Sequence, residues 1–146
     1  MTLKRFELIE HTADIGLRAF GKDKKGLFEN AAQGMFSIII EPKLNRQQGS
    51  RSSTQQFDIA LKADNLEELL VFWLSELLSL FDVNQIFFRR YNIKTLTDTK
   101  ITAQPTAESV DIKNYELKAE IKAVTYHRLK IQKKDKTWQA EVIFDI

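Results

Sequence analysis

Apolar and polar residues along the chain change period several times, and each change predicts an element. RFELIE (5–10) sets Phe6 and Leu8 against Glu7 and Ile9 in strand-like alternation, and IGLRAFG (15–21) continues as a second extended segment. The period then lengthens. In KDKKGLFENAAQGMFSIII (22–40), Leu27, Phe28, Ala31, Ala32, Met35, Phe36 and Ile39 recur at helical spacing. Pro42 marks the end, and Gly26 and Gly34 lower the propensity inside. Residues 43–56, KLNRQQGSRSSTQQ, lose all periodicity and are expected to be a mobile loop rather than a domain boundary, because too little chain precedes them for an independent core.

QFDIALKA resumes alternation through Phe57, Ile59 and Leu61 and runs into DNLEE, where Asp64 as N-cap and Glu67 as N3 resemble a capping box. The helix behind it has a wide apolar face of Leu66, Leu69, Leu70, Trp73, Leu74, Leu77, Leu78 and Phe81. Val71 and Phe72 widen it, which predicts burial on more than one side. QIFFRRYNIKTL, KITAQPTAES and YELKAEIKAVTYHRLKIQ then read as three strands. KKDK turns the last of these into the closing strand TWQAEVIFDI, a hairpin by its spacing. This order predicts an α+β fold: a single domain over 1–146, with two helices packed on a mixed, largely antiparallel β-sheet.

Composition narrows the chemistry. With no cysteine, thiolate catalysis, disulfides and zinc–sulfur sites are excluded. The 22 basic and 20 acidic side chains nearly cancel, so no polyanion partner is implied by net charge alone. The N-terminus has no signal-like apolar run, and LLVFWL (69–74) is too short to span a bilayer; a soluble, cytoplasmic protein is expected. Neither a serine elbow nor a phosphate-cradling glycine loop is present. The basic clusters FFRR and HRLKIQKKDK read first as solvated strand faces, with a nucleic-acid patch as the alternative.

EHTADIG (10–16) is the first unusual stretch, packing Glu10, His11, Thr12 and Asp14 between strand-like residues. His11 at a strand end reads as a capping residue, and His127 in VTYH as a solvent-facing strand residue; neither alone makes a metal centre. In the closing strand Trp138, Ala140, Val142, Phe144 and Ile146 share one face, leaving Asp145 to project off the core at the strand end. A hairpin centred near Lys134–Asp135 sets Asp145 opposite Val124, with Lys122 within one or two ladder positions; a one-residue slip would reverse the facing.

HTADIGLRAFG, LFENAAQGMF, DNLEELLVFWLSELLSLFD, IKAVTYHRLKI and the terminal AEVIFDI, in this order and spacing, resemble the archease family across essentially the whole chain. Ser75 stands where that family more often has asparagine, and the 43–56 loop is not a family signature. The resemblance implies a non-catalytic cofactor of a GTP-dependent, RtcB-type RNA ligase in tRNA splicing and RNA repair. It would promote guanylylation of the ligase's histidine and multiple turnover, and GTP would enter only through the ligase. It also implies an older role as modulator of a tRNA cytosine methyltransferase. The family's functional residues fall on Asp14, Lys122 and Asp145, with the aspartates associated with a divalent cation.

Oxygen chemistry suits Ca²⁺, Mg²⁺ or Mn²⁺ there, with Asp14, Asp145 and an oxygen of Ile146 as ligands and His11, Thr12 and His127 as supporting neighbours. Two carboxylates and one further oxygen leave the shell open, so water or a partner would complete it. RNA would be contacted indirectly, through the ligase. The same carboxylates also suit metal-dependent phosphoester hydrolysis, and a plain RNA-binding or chaperone module is the third class.

Overall fold

The computed structural model describes residues 4–10, 14–43, 54–109 and 114–146. Strands β1 (Phe6–Glu10) and β2 (Asp14–Gly21) form an antiparallel pair. Helix α1 (Lys24–Ile39) follows, then β3 (Ile40–Pro42), β4 (Thr54–Gln56) and β5 (Ile59–Lys62). Helix α2 (Leu66–Asn84) leads into β6 (Ile86–Arg90), β7 (Ile93–Leu96), β8 (Lys100–Ala103) and β9 (Thr106–Ser109). The chain closes with β10 (Tyr115–Leu117), β11 (Ala123–Lys134) and β12 (Thr137–Asp145).

The four-stranded sheet runs β1-β2-β12-β11, so the closing strand is inserted beside the opening hairpin. Two three-stranded sheets, β4-β9-β6 and β5-β8-β7, and the pair β10-β3 complete the structure, and every described pairing is antiparallel. Helix α1 packs on β1, β2 and β12, while α2 contacts β11, β5, β6 and β8. The two-helix α+β architecture is therefore the expected one.

Three expected strands are each broken in two, and the expected QFDIALKA strand is reduced to Ile59–Lys62, with Gln56 ending the preceding β4. Gln104–Pro105 divides β8 from β9. Asn92, at φ 45°, separates β6 from β7 and sends them to different sheets. Residues 118–122 divide β10 from β11. Of the expected 43–56 loop, 44–53 lie outside the described residues and 54–56 are strand β4.

The cap of α2 also moves by one residue: Asn65, not Asp64, is the N-cap, and its Oδ1 accepts from the Glu68 N–H at 2.8 Å. Glu68, not Glu67, reaches back, accepting from the Asp64 N–H. Asp23 caps α1 in the same way through the Gly26 N–H.

The core lies between the helices and the large sheet. Trp73, Phe28, Phe144 and Leu17 are fully buried, and Trp73 Nε1 donates to the Phe28 carbonyl at 3.1 Å, joining the helices. Gly34 permits the close approach of α1 to β2: a Cβ there would sit 2.5 Å from Leu17 Cδ1. A glycine that costs helix propensity is thus required by packing.

Candidate functional site

Asp14 is the first residue of β2 and Asp145 the last of β12, and the register places them directly opposite each other. On either side of the pair the alternation is well anchored. Ile15 faces Phe144, and Leu17 faces Val142, all against the core, so the aspartates share the sheet face turned away from the helices. Side chains directly opposite in an antiparallel pair have Cβ atoms about 4.5–5.5 Å apart, and like charges there are unfavourable. Asp145 is exposed, whereas Asp14 is half-buried and its Oδ1 is shut from solvent without a hydrogen-bond partner among the described residues. A buried carboxylate oxygen left unpaired is costly, and it is an oxygen a hard cation would satisfy.

Lys122 reaches this pair through its backbone: its N–H donates to the Asp145 carbonyl at 2.7 Å, and its side chain is exposed. The partner of Asp145 on β11 is Ala123 rather than Val124. Two departures from an ideal hairpin produce this register. The tip falls one residue later than expected, pairing Lys134 with Thr137 around Asp135 at φ 55°. A bulge then sets four residues, Tyr126, His127, Arg128 and Leu129, against the single residue Val142. Without the bulge, Asp145 would face Tyr126, and Lys122 would lie about 10 Å further along.

Hydrogen bonds hold the bulge. Thr125 Oγ1 donates to the Ile143 carbonyl at 2.8 Å and accepts from the His127 N–H at 3.3 Å, while Arg128 takes φ 54°. A sequence signal for it exists: Val124 and Tyr126 occupy even positions, whereas Leu129 and Ile131 beyond them occupy odd ones.

The same sheet face carries an ion-pair network that composition did not reveal. Arg18 donates from Nη1 to Glu7 Oε1 at 2.7 Å and from Nε to Glu141 Oε1 at 3.0 Å, and Lys4 adds a second cation to Glu7. Hydrogen bonds from Lys4 first and Arg18 second hold the Glu7 carboxyl below the ordinary carboxylate range, and Glu7 and Glu141 raise Arg18. Ile9, Gly16, Arg18, Arg128, Glu141 and Ile143 line a concavity of about 240 Å³ between this network and the aspartates. Arg18 is thereby committed to Glu7 and Glu141, and no ion pair reaches Asp14 or Asp145 among the described residues.

Of the expected site residues, the structure brings together Asp14, Asp145 and the backbone of Lys122, with Ile146 next in the chain and packed against the core. His127 stands exposed on the bulge, and His11 and Thr12 lie outside the described residues. Among the described residues no group of three or more His, Cys, Asp or Glu forms a metal cage. Two opposed carboxylates and an Ile146 oxygen suit a hard cation only as part of a coordination shell. No helix among the described residues is long and apolar enough to cross a membrane.

Comparison with known proteins gives one consistent result. The Archease protein family (MTH1598/TM1083) matches residues 6–146. The chain is 43% identical to the protein archease of Methanosarcina barkeri over 147 residues, covering 98% of this chain and 97% of that one. It is 34% identical to that of Pyrococcus abyssi over 148 residues, covering 99% and 100%. Among solved structures, protein 1598 of Methanobacterium thermoautotrophicum superposes with a TM-score of 0.74 at 32% identity, over 99% of this chain and 100% of that one. An archease of Thermotoga maritima, called a possible chaperone, shares the fold at a TM-score of 0.65 and 21% identity, with both chains fully covered.

Proposed function

The chain belongs to the archease family, and from that premise we propose that it is a non-catalytic activator of a GTP-dependent, RtcB-type RNA ligase in tRNA splicing and RNA repair. One observation carries the reading: three segments distant in sequence converge at one sheet end, Asp14 opposite Asp145 and Lys122 hydrogen-bonded to the latter.

The aspartates hold a divalent cation, Ca²⁺, Mg²⁺ or Mn²⁺, with an Ile146 oxygen, and leave the remaining positions to water or to the partner. A cation there supplies positive charge for phosphate oxygens and relieves the repulsion between the aspartates. Asp14 is fixed by its strand and by burial, Asp145 by the fully buried Phe144 beside it, so the pair is positioned before a partner arrives. Lys122, exposed beside them, meets a phosphate or a ligase carboxylate. GTP and the histidine that becomes guanylylated belong to the ligase, so the bond-making groups are not on this chain.

The test is multiple-turnover RNA ligation by an RtcB-type ligase from the same source, with folded Asp14→Ala, Asp145→Ala and Lys122→Ala proteins. Each substitution is expected to abolish or strongly reduce stimulation. Full stimulation by either aspartate variant would refute the site.

A second reading, chaperone or modulator of a tRNA cytosine methyltransferase, is favoured by a different surface. Leu117, 69% exposed, lines a groove of about 380 Å³ with Ile39, Leu78, Phe81 and Asp82. Such a role would be lost in Leu117→Asp while ligase stimulation survived.

A further inference from the structure

The end of the large sheet opposite the aspartates has the reverse electrostatic character. Lys22, Lys24 and Lys25 stand at the corner from β2 into α1, and Lys133, Lys134 and Lys136 at the tip of the β11–β12 hairpin. The strand register joins these two groups, since Trp138 pairs with Gly21 on one side and with Lys133 on the other. The acids in the same region are Asp23, Asp98 and Asp135. Asp23 is occupied in capping α1, and Asp98 pairs with Lys24. Six lysines against three aspartates leave a surplus of three positive charges, more than the +2 of the entire chain. Glu29, the next acid along α1, is half-buried.

Two further features argue against an incidental solvated face. Beyond the Asp23 cap, the first turn of α1 has no acid and carries Lys24 and Lys25. At the centre of the region, Trp138 is only half-buried, with Lys24 Nζ 5.6 Å and Lys133 Nζ 5.7 Å from its ring centroid. An indole face with ammonium groups around it presents both things a single strand offers: a surface on which a base stacks, and cations for its flanking phosphates. An acidic peptide would use the lysines and leave the indole idle.

We propose that the Lys22–Lys25 corner, the β11–β12 hairpin tip and Trp138 together form a binding surface for single-stranded nucleic acid. It lies roughly 23 Å along β12 from Asp145, well beyond the reach of screened charge at about 8 Å. Strand binding here is therefore independent of the aspartate site and of the activator role assigned to it.

The probes are fluorescein-labelled single-stranded RNA and DNA oligonucleotides of about 12 nucleotides and identical sequence, titrated by anisotropy across a salt series with the full chain. Each phosphate contacted adds about −0.7 to the slope of log K against log salt. Lys133→Ala/Lys134→Ala/Lys136→Ala is expected to weaken binding and flatten the slope by about 2. The exposed triple Lys43→Ala/Arg89→Ala/Lys118→Ala, near the C-terminal end of α1 and away from the Lys22–Lys25 corner, should leave both near wild type.

Either oligonucleotide should quench the emission of Trp138, a response lost in Trp138→Phe, while the fully buried Trp73 serves as internal reference. A preference for RNA would place a 2′-hydroxyl contact in the surface, and equal binding of DNA would make stacking and phosphate sufficient; both support the assignment. It is overturned if the hairpin triple keeps its slope, if the control triple loses as much, if Trp138 emission does not respond, or if polyglutamate competes as well as RNA.

Discussion

Asp14→Asn should stabilise the cation-free protein and destabilise it, relative to wild type, once a divalent cation is present. In the absence of a cation, two carboxylates face each other directly across β2 and β12, with Asp14 Oδ1 buried and, among the described residues, unpaired. A directly opposed cross-strand pair is worth about 0.2–1 kcal/mol, unfavourable for like charges. The substitution removes the charge but leaves a polar oxygen in place, so the expected gain lies within that range. For a chain of this length it corresponds to a melting temperature about 1–4 °C higher.

An open site with two carboxylates belongs among weak cation sites, with Kd near 1 mM; at about 10 mM cation, wild type then gains about 1.4 kcal/mol, or about 3–6 °C. The variant should gain little. Thermal denaturation of both proteins in EDTA and then in Ca²⁺, Mg²⁺ or Mn²⁺ should therefore show the two curves exchanging order. If Asp14→Asn melts below wild type in EDTA, the repulsion inferred from the register is wrong. If none of the three ions raises the wild-type melting temperature, the cation site itself is refuted.

Three other outcomes follow from the packing and the caps. Gly21→Ala should cost more than about 2 kcal/mol by chemical denaturation, because its Cβ would lie 2.3 Å from the Leu27 backbone nitrogen and the corner into α1 would have to move. Asn65→Ala should cost about 1 kcal/mol and Asp64→Ala less than about 0.5 kcal/mol, the order expected if Asn65 caps α2 and reversed if Asp64 does. The Glu29 carboxyl is raised above the ordinary carboxylate range, by burial first and by Asp23 second, so its ionised form opposes folding. Glu29→Gln should therefore stabilise the protein at neutral pH, and that advantage should shrink as pH falls through the raised pKa and disappear below the unfolded one. A pH-independent difference would assign the effect to something other than ionisation.

Much of the fold could be read from period alone. The two helices are found where the 3.6-residue repeat occurs, because each buries one continuous apolar face, and Ala140, Val142 and Phe144 lie inward as alternation requires. The strand breaks were less legible. Asn92 and the Gln104–Pro105 pair interrupt runs whose side-chain pattern continues through them, and only the change of sheet partner separates the halves. At the site, alternation alone set Asp145 off the core, but nothing local to EHTADIG points to a partner strand, so its pairing with Asp14 came only through family resemblance. The register opposite Asp145 differs by one residue from the expected one, Ala123 in place of Val124, while Lys122 lies within the expected one or two positions. The late tip and the three additional residues of the bulge shift the register in opposite directions, and only the change of apolar phase after Tyr126 records the second.

The position of β12 between β2 and β11 has a consequence for how the molecule matures. The aspartates are more than a hundred residues apart in the chain, and their strands meet only through the most non-local pairing in the large sheet. Such contacts are made late, after the loop-closure entropy has been met. A collapsed intermediate with both helices formed would still hold each carboxylate separately, with no site between them. Competence at this end therefore requires the β2–β12 pairing, so a partner that recognises the acidic pair engages only molecules in which that pairing has been made.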